Sequence, residues 1–268
     1  MLVVKHSDYD VNELSFEPIN TTAKKKNAQT LLLPIYKSER SPMIQLPYVK
    51  LDMYGIPSKC DFFKDDYQRH FIKLPLNTVH EDAQARVRGE ATHDMKNLYD
   101  WFKAIDDKFG TKEFQEQLFK KKNPKAKYQP LLRIPKNEDE TESTDKLPYV
   151  KIKLTSKYPT NEILTGVVLN HPSGLKEVAQ GITTIDDIAK YIKYQSRIKC
   201  IIIPSKLWIH PPANNDVTYG ISFKLLKVLV DIVPEKSLIS NDTTGFIESD
   251  DEESPRVRGK ATHDSDDE

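Results

Sequence analysis

The sequence predicts an α+β fold that is mainly β. Short runs of β-branched and aromatic residues with period-two alternation recur, most cleanly at Tyr149–Leu154 (YVKIKL). Two helical stripes follow one another between residues 95 and 119, and a shorter third begins at Thr184. From Glu235 the chain turns polar and acid-rich, the composition of a disordered tail. The expected layout is an N-terminal arm over residues 1–27, a folded body over 28–234 and the tail over 235–268.

Residues 1–27 are mixed and polar and end in Lys24-Lys25-Lys26, which reads as a solvated turn after a short strand and an arm. Strand patterns cover residues 28–36, 46–54 and 70–76, with a turn at Gly55-Ile56-Pro57. Asp94 suits the N-cap of a helix over 95–109, whose Leu98, Trp101, Phe102, Ile105 and Phe109 form one stripe and which Gly110 ends. Thr111 caps a second helix that turns Phe114, Leu118 and Phe119 inward. It ends in Lys120-Lys121-Lys122, where the helix dipole favours cations.

Residues 125–154 read as two strands joined by a polar connection. In the second, Val150, Ile152 and Leu154 take one face, and Tyr149, Lys151 and Lys153 the other. A strand follows over 162–169, then a turn at His171-Pro172-Ser173-Gly174. Thr184 with Asp187 makes a capping box for the third helix, whose buried stripe is Ile185, Ile188, Ala189 and Ile192 and whose outer face has Lys190, Lys193, Tyr194 and Arg197. Residues 199–203 are a buried strand. Lys206, Trp208 and His210 share one face of another strand, and Leu207 and Ile209 the opposite one. Pro211-Pro212 and Asn214-Asn215-Asp216 turn the chain into the longest strand signal, 217–233, with Gly220 expected as a bulge or a sharp coil.

Two repeats stand out. LPYVK occurs at 46–50 and again at 147–151, so Tyr48 and Lys50 repeat Tyr149 and Lys151. RVRGEATHD at 86–94 returns as RVRGKATHD at 256–264, without similar apolar spacing around it. That copy reads as a short element tolerated in surface segments, the alternatives being a peptide bound by a partner or half of a metal site.

The net charge of zero hides an asymmetry. From Glu248 onward there are nine acids and three bases, a net −6, which leaves 37 bases and 31 acids, a net +6, in the body. Two cysteines make no disulfide scaffold and fit a reducing, intracellular setting. The N-terminus lacks a signal-peptide pattern, no apolar run approaches the roughly 20 residues of a membrane helix, and a soluble protein is expected. No phosphate loop, dinucleotide fingerprint, HExxH or nucleophile elbow is present. Cys60, His70 and His80 lack a fourth ligand. The expectation is therefore a binding protein with neither cofactor nor metal, not an enzyme.

A β surface that shows cations and rings together suits single-stranded nucleic acid, because the cations follow phosphates and the rings stack bases. The candidate phosphate contacts are Lys50, Lys125, Lys127, Arg133, Lys151, Lys153, Lys206 and Lys224. The candidate base contacts are Tyr48, Tyr128, Tyr149, Trp208 and Tyr219. Ordinary strand alternation with a solvated polar face is the plainer reading of any one of these strands, and Trp208 can equally cover an apolar neighbour.

The order of segments, with YQPLLR at 128–133, LPYVKIKL at 147–154, KLWIHPPANNDVTYGISFKLLKVLV at 206–230 and an acidic end, resembles the single-stranded-DNA-binding proteins of nucleocytoplasmic large DNA viruses, similar in plan to phage helix-destabilising proteins. The resemblance implies an OB-type barrel elaborated with about three helices. It implies sequence-tolerant binding of single-stranded DNA, with RNA the other candidate, in replication, recombination or repair. It also implies a tail that competes with DNA and recruits replication proteins, and self-association on DNA. The setting would be the viral replication site in the host cytoplasm, with the host nucleus or the virion as alternatives, and no membrane partner. Ser249 and Ser265 each open a Ser-Asp-Asp-Glu run in which phosphorylation would strengthen that competition. The rival reading is a virion structural or scaffold protein that binds other proteins through its β surfaces; a nucleic-acid enzyme would need a carboxylate cluster that the chain does not assemble.

Overall fold

A computed structural model describes residues 2–19, 29–51, 55–76, 93–122, 124–137, 139–143, 146–213 and 216–232. Several features singled out above lie outside these residues: the Lys24-Lys25-Lys26 triplet, residues 52–54 of an expected strand, His80, most of the first RVRG copy, Asn214-Asn215, and the tail with the second copy.

The strands are β1 (Val3–Lys5), β2 (Leu14–Phe16), β3 (Thr30–Leu32), β4 (Pro34–Tyr36), β5 (Glu39–Arg40), β6 (Met43–Lys50), β7 (Phe71–Pro75), β8 (Ala126–Gln129), β9 (Leu132–Arg133), β10 (Tyr149–Leu154), β11 (Gly166–Asn170), β12 (Lys176–Val178), β13 (Arg197–Ala213) and β14 (Asp216–Asp231). Among the described residues the α-helices are α1 (His93–Phe109), α2 (Lys112–Phe119) and α3 (Ile185–Ala189). The chain is thus α+β and mainly β, as its periodicities predict.

The architecture grows from the β13–β14 hairpin. These strands, 17 and 16 residues long, pair antiparallel along almost their whole length. Beside β13 lie β6 and, nearer the hairpin's turn, β3. Beside β14 lie β8, β10 and β11 in succession, all parallel to it. β7 and β9 flank β10, β12 flanks β11 and β1 flanks β6, which completes an eleven-stranded sheet. β1 and β7 end its main path and do not pair with each other, so the sheet is open. β2, β4 and β5 form a small second sheet.

Alternation then gives the large sheet two chemically different faces. Ile221, Phe223 and Leu225 of β14, Ile198, Cys200 and Ile202 of β13 and Val150, Ile152 and Leu154 of β10 point one way into a single core. α1 lies on that core with Leu98, Phe102, Ile105 and Phe109, all fully buried, and α3 adds Ile185 and Ile188. Each such side chain contributes about 1.5–3 kcal/mol on burial. Towards the hairpin's turn a second cluster takes over, where Phe114, Leu118 and Phe119 of α2 pack on Leu207, Ile209 and Tyr219. The helices begin as their caps demand: the Thr111 hydroxyl accepts from the Phe114 amide at 3.2 Å, and Thr184 with Asp187 forms a full capping box.

Several sequence expectations are corrected. The described part of the N-terminal stretch is no arm: Tyr9, Val11 and Leu14 are buried in the main core. Lys108, near the end of α1, donates to the carbonyls of Val11, Asn12 and Leu14 at 3.0, 2.7 and 2.7 Å, which clamps this segment to the helix. Of these, Tyr9 follows one short 3-10 turn, Val11 lies on a second and Leu14 opens a three-residue strand, elements too short to show a helix or strand period. The two strands expected over 199–210 are one, which runs on through Pro211 and Pro212; the ladder shifts register between His210 and Ala213, where prolines have no N–H to give. Gly220 is no bulge, since the other shifts fall at Ile201/Ile202 and Pro204/Lys206. The strand expected from residue 162 begins at Gly166, and α1 begins at His93, before the predicted cap.

Candidate nucleic-acid interface

The opposite face of the large sheet has no helix on it among the described residues, and it is where the lysines go. Alternation away from the core places Lys206 and Trp208 of β13, Lys224 of β14, and Tyr149, Lys151 and Lys153 of β10 on it together. Register confirms the sharing of one face: Lys224 pairs with Lys153, Lys151 with Lys73 and Tyr149 with Arg133. At the hairpin's turn Lys127 pairs with Thr218, with Lys125 exposed just before β8. At the opposite end, Tyr48 pairs with Lys199 and Lys50 with Arg197. The two LPYVK copies thus occupy strands on either side of the hairpin, and both turn their tyrosine and lysine outward.

Eleven of the thirteen predicted contact residues therefore belong to one face or its rim, and two do not. Tyr219 is fully buried, with its hydroxyl donating to the Phe109 carbonyl at 2.6 Å and its pKa pushed up to about 12 by burial. It is in phase with Ile221, Phe223 and Leu225 and belongs to the core. Tyr128 pairs with Tyr219 and follows it inward; its hydroxyl donates to Asp106 Oδ1 at 2.7 Å. Neither ring can stack a base. Lys73, Arg197, Lys199 and Lys227 share this same face and are not among the predicted contacts.

Asp106 explains why Tyr128 turns in and how the rim is held. Its carboxylate also accepts from the backbone amides of Leu131 and Leu132, at 2.8 and 2.9 Å. Three donors on one helical carboxylate fix the corner at Pro130 where β8, paired with β14, gives way to β9, paired with β10. The first of the two expected strands is split there, because proline offers no amide to continue one ladder.

Electrostatically the face is one-sided. From Thr218 to Asp231 and on the neighbouring strands, Asp231 is the one outward carboxylate among the described residues, and Arg197 already binds it at 2.9 Å. Lys206 titrates below the ordinary lysine value, through partial burial first and then the charges of Lys153 and Lys224. Lys151 is lowered in the same way, by burial and then by Arg133 and Lys73. Like charges held this close in a folded sheet raise the local positive potential, which favours anions over cations at this face.

The rings lie among these cations. Lys73 Nζ is 5.0 Å from the Tyr149 ring, and Arg197 and Lys199 lie 4.2 and 5.1 Å from the Tyr48 ring. Trp208 lies on the backbone of Gly220, where a Cβ would come within 2.6 Å of Cζ2 of the indole. Only glycine lets this ring lie flat on the strand, and that close approach, not a bulge, is what the glycine serves. Trp208 is half-buried, with His210 4.8 Å away between ring centres.

Among the described residues no helix is long and apolar enough to cross a membrane. No family model matches the chain. The chain is similar to Uncharacterized protein R505 of Acanthamoeba polyphaga mimivirus, at 24% identity over 287 residues that cover 96% of this chain and 67% of that protein.

Proposed function

We propose that this chain binds single-stranded nucleic acid, DNA before RNA and without sequence preference, on the outward face of its large sheet. The observation that carries the reading is a β face that, among the described residues, has no helix on it, many cations, interleaved rings and one neutralised carboxylate. Phosphates would lie along Lys151, Lys153, Lys206, Lys224 and Lys227, and bases against Tyr149, at the corner that Tyr48 supports, and on the free side of Trp208. Each stacked base contributes about 1–3 kcal/mol. We read the β6–β13–β14–β10–β7 path as an opened-out OB-type sheet, the finer form of the α+β assignment. The acidic tail, at net −6, competes with nucleic acid by charge and recruits replication proteins. The giant-virus relative supports a viral setting, and within it the proposed place of the chain is the replication site in the host cytoplasm.

An electrophoretic shift with the full chain tests this. Oligo-dT is expected to shift and duplex DNA of equal length to shift far less, with affinity for oligo-dT falling as salt rises, by a log–log slope of about 0.7 for each phosphate contacted. No shift, or equal shifts for both ligands, would contradict the reading. One feature favours the rival, a protein-binding scaffold: Leu175 and Val178, exposed by 63% and 58%, leave apolar side chains uncovered along the β11–β12 hairpin.

A further inference from the structure

We infer that Arg197, laid on Tyr48 and clamped by Asp231, forms a nucleobase-stacking subsite at one corner of the outward face. The inference rests on the single-strand reading and adds to it a place where a base, not a phosphate, is held.

The geometry separates this arginine from the other cations of the face. Its guanidinium carbon is 4.2 Å from the centre of the Tyr48 ring, a stacking distance. Its Nη1 donates to Asp231 Oδ2 at 2.9 Å, while Asn170 Nδ2 donates to Oδ1 of the same carboxylate at 2.8 Å. The Asp231 side chain is only 16% exposed, whereas that of Arg197 is 58% exposed. Burial first, and then the Asp231 carboxylate, hold the Tyr48 hydroxyl above its ordinary pKa. The carboxylate therefore lies beneath, engaged from two strands, and fixes the guanidinium with one side against a ring and the other towards solvent.

Such an arginine is a weak phosphate site, because its charge is already matched. What it still offers is a flat, weakly hydrated cation of fixed orientation, the kind of surface on which unpaired bases stack. Lys199, which also lies over Tyr48, and Lys50, paired with Arg197 across the β6–β13 ladder, remain to take the phosphates on either side of that base. A salt bridge that served only to tie β13 to β14 would be equally good with lysine. A stacking plane would not.

Arg197→Lys in the full chain makes the distinction, with two ligands of equal length: oligo-dT and an oligonucleotide whose sites are abasic. Both carry the same phosphates. The variant is expected to bind oligo-dT about tenfold more weakly, within the range for one stacked base, and to bind the abasic strand within twofold of wild type. Its salt slope on oligo-dT stays unchanged, because the charge is kept. Asp231→Asn, which loosens the clamp but leaves the arginine, gives a smaller loss confined to oligo-dT. Wild-type affinity of Arg197→Lys for oligo-dT, or an equal loss on both ligands, would overturn the subsite and leave the single-strand reading intact. Failure of the wild-type chain to bind either ligand would overturn both.

Discussion

Replacing Lys153, Lys206 and Lys224 together by alanine is expected to lower affinity for oligo-dT by about two orders of magnitude at 0.1 M salt. Each phosphate contact contributes roughly 0.7 to the log–log salt slope, so three contribute about 2, and extrapolation from 1 M to 0.1 M salt converts that into about a hundredfold. These residues lie together: Lys153 and Lys224 pair across the β10–β14 ladder, and both depress the pKa of Lys206 on β13. None has an acidic partner among the ion pairs of the described residues. The sign of the Lys206 shift also keeps the experiment clean. A lysine held below its ordinary pKa by burial and like charge is one whose charged form the fold disfavours, so its removal relieves the fold. The triple variant should melt at or above the wild-type temperature while it binds far more weakly. A matched loss of melting temperature and affinity would point to unfolding, and unchanged affinity would remove this cluster from the binding face.

Asp106→Ala is expected to cost about 3–5 kcal/mol of folding stability, read as a lower urea midpoint at unchanged slope. The carboxylate satisfies the Tyr128 hydroxyl and the amides of Leu131 and Leu132, all in a largely buried corner. A buried donor left without a partner costs about 1–3 kcal/mol, and alanine strands all three. Burial raises the pKa of the Asp106 carboxyl, and the three donors pull against that rise. Asparagine in its place keeps one accepting oxygen, so Asp106→Asn should fall between wild type and alanine. The same corner aims Lys127 and Arg133, so oligo-dT affinity should drop severalfold under conditions where the alanine variant is still folded. A wild-type midpoint for Asp106→Ala would show that the corner stands without this carboxylate.

The legible part of the fold is what alternation and capping dictate locally. Val150, Ile152 and Leu154 point into the core, and Tyr149, Lys151 and Lys153 out of it, because a strand has period two and an apolar face has one place to go. Thr111 and Thr184 start their helices for equally local reasons. The parity of Tyr219 is also legible, since it shares the phase of Ile221 and Phe223; aromatic character alone is a poorer guide to exposure than that phase. What could not be read locally depended on partners distant in sequence. Tyr128 turns inward because β8 is drawn beside β14 and because Asp106, 22 residues earlier, takes its hydroxyl. Helical spacing alone puts Arg197 on the outer side of the third helix. That helix stops at Ala189, the chain passes Gln195 at a φ of 69°, and Arg197 instead opens β13 opposite Lys50. The open sheet itself is a matter of which edges meet, and no local pattern reports that.

The proposed binding surface is one face of one sheet. Amine-reactive footprinting of the full chain, with and without saturating oligo-dT, reads that face directly. The account predicts protection of Lys151, Lys153, Lys206, Lys224 and Lys227, with Lys96 and Lys103 on the helical side modified as in the free chain. Protection of the helical lysines, or none on the strands while the oligonucleotide is bound, would contradict it.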